Sequence, residues 1–361
     1  MIKQKRFAHI DLLESIAIFF VVMYHSTIYT FDILHMPNVV NYLLYFDRTI
    51  LSTCVPLFFF ANGYLLFNRE FDIKKHIKKT LRLVSLVFIW GLLLMLIYML
   101  IAGEPIRITT AVFSLLNLNA SWNMNVLWFL GAVVCLYVLF PALKALFDTS
   151  KKAFLFVTVA CAILTMGFVL GNQVLSVIST MMHKDFGNFS YPALTMFNPF
   201  RGNYGYSFVY FCVGGLACTY EAKILSVRKA KRNLIAVSSL LVSCACLFAV
   251  GVYYTKCVDG KLWDVVWNGY DTVFTFVNVL AIYVLCLNYN RNNGLIRLIS
   301  CNTLGIYFTH ELIIRATRPW IKAQDLLCNL PVNMIYALVI LLVCLAVCLL
   351  MRKIPVLKKM V

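Results

Sequence analysis

The sequence predicts an all-α, polytopic membrane protein: a bundle of about ten transmembrane helices with both termini in the cytoplasm. Three observations carry this. Charged residues are only 13% of the 361, hydrophobic residues are 62%, and the mean hydropathy is +0.83. A soluble domain carries about 25% charged residues, so this chain cannot clothe a water-exposed surface. Apolar stretches of about 20 residues, enough to cross the hydrocarbon core, recur almost to the C-terminus. Lys and Arg collect in alternate connections between those stretches. An independent soluble enzyme domain, a disordered tail and a coiled coil are excluded. The net charge of +17 is read as membrane orientation and not as nucleic-acid binding, because its positive residues lie between apolar segments.

Taken in order, the first segment covers about 8–29. It carries Asp11 and Glu14 and has no small-residue cleavage site, so it is not a cleaved signal peptide. The second, 41–67, is long enough to tilt or to lie partly in the interface. Three more follow at 82–102, 126–147 and 153–172. The stretch 173–203 is rich in Pro, Gly and Asn and is expected to form an irregular cap over one end of the bundle. The remaining segments are placed at 204–221, 234–254, 268–288, 296–316 and 332–351. No internal repeat, heptad run or low-complexity stretch interrupts them, so one domain over 1–361 is expected.

Charge fixes the orientation. One set of connections holds 23 Lys and Arg residues, among them Lys3, Lys5 and Arg6, the run from Arg69 to Arg82, and the group from Lys223 to Arg232. The opposite set holds 8, and the remaining cation, Arg48, lies inside a segment. The positive-inside rule assigns the richer side, with both termini, to the cytoplasm. Most of the thirteen cysteines fall in apolar segments, where Cys acts as a small hydrophobe. Cys257 and Cys328 lie in loops on the same side, which leaves a disulfide between them open.

An ionisable side chain near the bilayer centre costs roughly 2.5–3.5 kcal/mol even on an insertion scale. Asp11, Glu14, Asp47, Arg48, Asp271 and Glu311 lie within the segments, joined by His25 and His310. At ~1.5 Å per residue, His25, Asp47, Arg48, His310 and Glu311 all fall within about 10 Å of the outer face, with Asp271 shallower. A second polar layer, Asp11, Glu14, Asn62, Lys78, Lys79 and Arg82, lies near the cytoplasmic face. Glu14 and His25 sit about 20° apart around one helix but ~16 Å apart along it, as the lining of a passage would. Plainer readings stand beside these. A histidine near a helix end is often interfacial, Asp47 and Arg48 could be a structural ion pair, and the 68–82 basic run could serve orientation and lipid headgroups. Trp128 and Tyr137 could belong to an aromatic belt.

Four stretches, in order, resemble the acyltransferase-3 family of integral-membrane O-acyltransferases, particularly those acting on bacterial surface polysaccharides. They are RFAHIDLLESIAIFFVVMYH over 6–25, VPLFFFANGYLLF over 55–67 with KTLR over 79–82, LWFLGAVVCLYVLFP over 127–141, and LGIYFTHELI over 304–313. The resemblance implies transfer of an acyl group, usually acetyl, from cytoplasmic acyl-CoA to a glycan hydroxyl at or beyond the outer face of a bacterial plasma membrane. It implies that His25 is the catalytic histidine and that Lys79 and Arg82 stand at an Arg-x-x-Arg motif. Trp128 and His310 match motif positions. Two departures stand out. Glu14 lies where the family commonly has Arg, and Asn62-Gly63 replaces Ser-Gly.

The combined expectation assigns catalysis to His25 and His310, and acyl-CoA binding to Lys75, Lys78, Lys79 and Arg82. Substrate contacts are assigned to Asp47, Arg48, Asn62, Trp128 and Glu311. The partners are acyl-CoA, a glycan or lipid-linked saccharide and membrane lipids, with no nucleic acid. No metal is expected, because no HxxxH or CxxC spacing occurs. A transporter or flippase for a lipid-linked glycan is the alternative, and a sensory or scaffolding membrane domain a further one. The missing repeats and paired broken helices weigh against the transporter.

Overall fold

The computed structural model describes residues 6–27, 31–102, 127–182, 205–322 and 330–360. Those residues are helical with short connections and no strands, as a chain that must satisfy its backbone within lipid requires. Eight spans among them are long and apolar enough to cross a membrane, with Val39–Phe67 and Lys151–Met181 each taken whole. The chain forms two compact units, one from Met1–Leu66 with Phe156–Lys359 and one from Phe67–Leu155.

In the first unit, α1 (Ala8–His25) is the axis. It packs against α2 (Val39–Leu51), α10 (Val273–Cys286), α11 (Gly294–Cys301), α12 (Thr303–Lys322) and α13 (Leu330–Met351). Its apolar positions Leu13, Ala17, Ile18 and Val22 are buried, and so are the polar His9 and Ser15. Asn38 caps α2 by accepting from the Asn41 amide at 2.9 Å, and Thr272 caps α10 from the Thr275 amide at 3.2 Å.

The expected segment 41–67 is two helices, α2 and α3 (Cys54–Phe67), broken at Ser52 and Thr53. Pro56 explains the break: its ring collides with the carbonyl four residues earlier, and it has no N–H to continue the ladder. Ser52 instead shares a 2.7 Å hydrogen bond with the Thr275 hydroxyl, tying the break to the start of α10. The expected segment 296–316 is also two helices, divided at Asn302 into α11 and a longer α12 that runs on to Lys322. His310 and Glu311 are therefore mid-helix. His25, in contrast, is the last residue of its helix, four residues earlier than the sequence suggested.

A third expectation is corrected at 173–203. Residues 173–181 are helical, in a rod made of α6 (Lys151–Ala162), a π-helical turn over Ile163–Gly167 and α7 (Phe168–Met181). The rest of that stretch, from 183, lies outside the described residues, as does Cys328. Composition misled because the apolar residues Val174, Leu175, Val177 and Ile178 carry the hydrophobic run on past Asn172 and Gln173, and the Pro, Gly and Asn of that stretch lie beyond 182.

Backbone approaches backbone between α3 and α8 (Gly205–Ser226). A Cβ added at Gly63 would fall on the Phe211 carbonyl, and one at Gly214 on the Phe60 carbonyl. Small residues that let helices touch in this way drive association where lipid removes the hydrophobic contribution. The glycine of the 55–67 motif thus has a packing explanation. α9 (Lys229–Tyr253) lies against α10 and α2, and its Gly251 leaves room for the Tyr45 ring.

In the second unit, α4 (Ile73–Ala102) packs on α5 (Trp128–Thr149). Phe67, Phe140, Phe147 and Phe154 form an aromatic cluster with ring centroids about 5 Å apart. The buried His76 ring donates from Nε2 to the Tyr137 carbonyl at 2.7 Å. The buried Lys144 ammonium reaches the Phe67 carbonyl at 3.2 Å and Asp148 at 2.8 Å.

Gly63→Ala or Gly214→Ala should destabilise the protein by roughly 1–3 kcal/mol through overpacking. Gly171→Ala, where an added methyl meets open space, should be neutral or slightly stabilising. Thermal melts followed by size-exclusion chromatography test this, and equal melting of all three variants would contradict the α3–α8 contact.

Candidate active site

The first unit brings His25, His310 and Glu311 together. His25 Nδ1 lies 3.6 Å from Glu311 Oε2, and the rings of His25 and His310 are 5.1 Å apart between centroids. One helix end and one helix middle, 285 positions apart in the chain, meet at a point inside the bundle. The ring of His25 remains about one-third exposed, while His310 is fully buried.

Each group is held from behind. His310 Nδ1 faces the carbonyls of Tyr307 at 2.6 Å and Ile306 at 3.3 Å. Two acceptors at that nitrogen assign it the proton, so Nε2 bears the lone pair. Glu311 Oε1 accepts from Arg315 Nε at 2.8 Å, one helical turn on, which turns Oε2 toward His25. The Tyr24 ring packs edge-on against His25 at 4.9 Å. A histidine beside a carboxylate, with one edge accessible, can take a proton from a substrate hydroxyl while the carboxylate holds its other nitrogen.

Arg48 adjoins this cluster. It is buried, its Nη1 donates to Thr27 Oγ1 at 2.9 Å, and its Nη2 lies 3.6 Å from Asp264 Oδ1. Its guanidinium also stacks over Tyr24 at 5.0 Å and Phe31 at 4.7 Å. Asp264 accepts from the Tyr24 hydroxyl at 2.6 Å and from the Val266 amide at 3.0 Å. The acid paired with the intramembrane arginine therefore comes from the connection before α10. Sequence reasoning missed it, having counted that connection only for its cations. Asp47 is half-buried beside Arg48 on α2.

The other expected residues are distributed as follows. Asp11 and Glu14 both meet Ser300 Oγ, at 2.9 and 2.7 Å, and Arg6 pairs with Asp11 at 2.5 Å. Glu14 is thus part of a network with α11 at the Ala8 end of α1. Asn62 spends a donor on the Phe58 carbonyl of its own helix at 3.0 Å. Asp271 lies in the turn before α10. Trp128 begins α5, buried in the second unit. Lys75, Lys78, Lys79 and Arg82 occupy the exposed side of the first turns of α4, also in that unit. Lys75 pairs with Asp72 at 3.0 Å, and the Lys79 ammonium lies over the Tyr137 ring at 5.0 Å.

One further cluster had no sequence signal. His9 Nε2 is 3.7 Å from Glu221 Oε2, which also accepts from the Tyr64 hydroxyl and faces Tyr283 Oη at 3.5 Å. The donor atoms of His25, His310 and Glu311 lie within 4.8 Å of one another, so these three could hold a metal ion. The spacing rule applied to the sequence considers neighbours along one helix and could not have found a set drawn from two.

Compared with known families, the chain matches the model Acyl_transf_3, an acyltransferase domain, over residues 7–353. No curated protein and no solved structure matches the chain.

Asp264→Asn removes the carboxylate charge facing Arg48 while keeping the turn. A pair buried on both sides loses about 3–5 kcal/mol when broken this way, and the partial exposure of Asp264 lowers the expected cost to roughly 1–3 kcal/mol. In an Arg48→Met background the same change should cost less than about 0.5 kcal/mol. Equal costs in both backgrounds, measured by thermal melts, would contradict the pairing.

Proposed function

The chain belongs to the acyltransferase-3 family and is a multi-pass membrane acyltransferase; from that premise we propose that it moves an acyl group, acetyl in the simplest case, from cytoplasmic acyl-CoA to a carbohydrate hydroxyl. The acceptor in this proposal is a cell-surface glycan or its lipid-linked precursor, at the plasma membrane of a bacterium. Family membership sets aside the transporter and scaffold alternatives.

The observation that carries the proposal is the meeting of His25 with Glu311 and His310 in the interior of the first unit. With Nδ1–H turned to Glu311, His25 keeps the Nε2 lone pair for the acceptor. Nε2 takes the hydroxyl proton as the oxygen attacks the thioester carbonyl. A C–O bond forms, the C–S bond breaks, and the proton passes from His25 to the departing CoA thiolate. The Glu311 carboxylate steadies the imidazolium formed between those two transfers. Arg48, already oriented by Thr27 and Asp264, supplies positive charge for binding the glycan or for the developing oxyanion.

The cations Lys75, Lys78, Lys79 and Arg82 are proposed to hold the phosphates of acyl-CoA. Arg and Lys at the start of α4 suit a multiply charged ligand on the cytoplasmic side that the positive-inside rule assigns them. Glu14 is not part of the donor-binding set. A carboxylate repels CoA phosphate, and its bond to Ser300 gives it a structural place.

The test is thiol release from acetyl-CoA by the protein in nanodiscs, with and without membrane-derived glycan lipid. Glycan-dependent release should fall at least a hundredfold in His25→Ala. Lys79→Ala should raise the apparent KM for acetyl-CoA several-fold and leave kcat nearly unchanged. Release that survives in His25→Ala would discard the base. No release from folded wild-type protein with any short acyl-CoA would discard the donor.

A further inference from the structure

The acyl-transfer reading leaves one buried group without a task. His310 Nε2 has no hydrogen-bond partner, although the residue is fully buried and the opposite nitrogen is satisfied by two carbonyls. One nitrogen of His310, one of His25 and an oxygen of Glu311 lie within 4.8 Å of one another, and Nε2 is the His310 nitrogen that no carbonyl engages.

We propose that His25, His310 and Glu311 form a binding site for a divalent transition-metal ion of the zinc class, and that the bound ion switches off acyl transfer. The inhibitory half rests on the reading of His25 as the base. Two imidazoles and one carboxylate are a donor set suited to zinc, cobalt or nickel, whereas magnesium and calcium favour oxygen alone. Bonds of about 2.0–2.2 Å to a central ion require the three donor atoms to approach one another by small side-chain rotations.

The surroundings match those of metal ligands. A ligating histidine usually donates its second ring N–H to a carbonyl or carboxylate, as His310 does to Tyr307. A ligating carboxylate is usually held at its other oxygen, as Glu311 is by Arg315. The oxygen left over, Oε2, is the one facing His25.

Occupation would remove the base by tautomer. An ion on His25 Nδ1 displaces the proton from that nitrogen, and the neutral ring keeps its one proton on Nε2. The lone pair that would accept the sugar proton is then gone. An ion on Nε2 occupies the lone pair directly. Either way the hydroxyl finds no acceptor.

The full-length protein in nanodiscs, stripped with chelator, is titrated with Co2+ and followed by visible d–d absorption. One Co2+ per chain is expected, with no sulfur-to-cobalt band in the near ultraviolet, and Zn2+ should displace it. Glu311→Gln and His310→Gln, each checked for a single size-exclusion peak, should weaken Co2+ binding at least tenfold. His35→Gln, on an exposed loop, should leave binding unchanged. No visible absorption in the wild type, or undiminished affinity in both variants, would overturn the site. Zn2+ at saturating concentration should abolish thiol release and EDTA should restore it; undiminished release from zinc-loaded protein would overturn the switch. If metal-free protein releases no thiol at all, the acyl-transfer reading and the switch fall together, while the cobalt titration still decides the site.

Discussion

A charged or titratable side chain inside a membrane bundle has to find a partner there, and in the first unit Asp11, Glu14, His25, His310 and Glu311 find theirs on or against α1. Lipid offers neither solvation nor hydrogen bonds, so each unpaired group would cost several kcal/mol. α1 meets that requirement by sitting at the centre of its unit, with five helices around it. Asp11 and Glu14 turn to Ser300 and Arg6 at one end. His25 turns to Glu311 and His310 at the other. The same pressure that keeps the helix off the lipid also gathers the reactive groups.

The rest of the unit supports that arrangement. The break before Pro56 separates α2 from α3, and α2 brings Arg48 to Thr27, two residues beyond His25. The connection before α10 is pinned by buried hydroxyls. Tyr45 donates to the Trp263 carbonyl at 2.8 Å and Tyr210 to the Tyr270 carbonyl at 3.0 Å. Asp264 is presented from this fixed connection to both Arg48 and Tyr24, so the neighbours of His25 sit on ordered backbone. Preorganisation of this kind lets a charge developing in the reaction meet donors already in place.

Much of this was legible in the sequence. Hydropathy found the apolar runs, since the bilayer sets their length, but it began α4 nine residues late and ended α7 nine residues early, because it reads the apolar part of a helix and not the polar turns that extend it. Matched depth pointed to His25, His310 and Glu311 as one layer. Depth says nothing about rotation around a helix axis, so only the structure could bring Nδ1 of His25 to Glu311. The partner of Arg48 was illegible for a different reason: Asp264 lies in a polar connection where an aspartate carries no signal. Asn302 and Pro56 are both visible in the sequence. Hydropathy smooths over single residues, however, and so ran each pair of helices together.

The central claim is that His25 and Glu311, supplied by two distant helices, act as one base. Chemical rescue tests it most directly. His25→Ala leaves a space of imidazole size beside Glu311, and millimolar imidazole should restore part of the glycan-dependent thiol release. In the double variant His25→Ala with Glu311→Gln, the added imidazole has nothing to orient it, and the rescue should fall at least tenfold. Rescue of equal size with and without the Glu311 carboxylate would contradict the account.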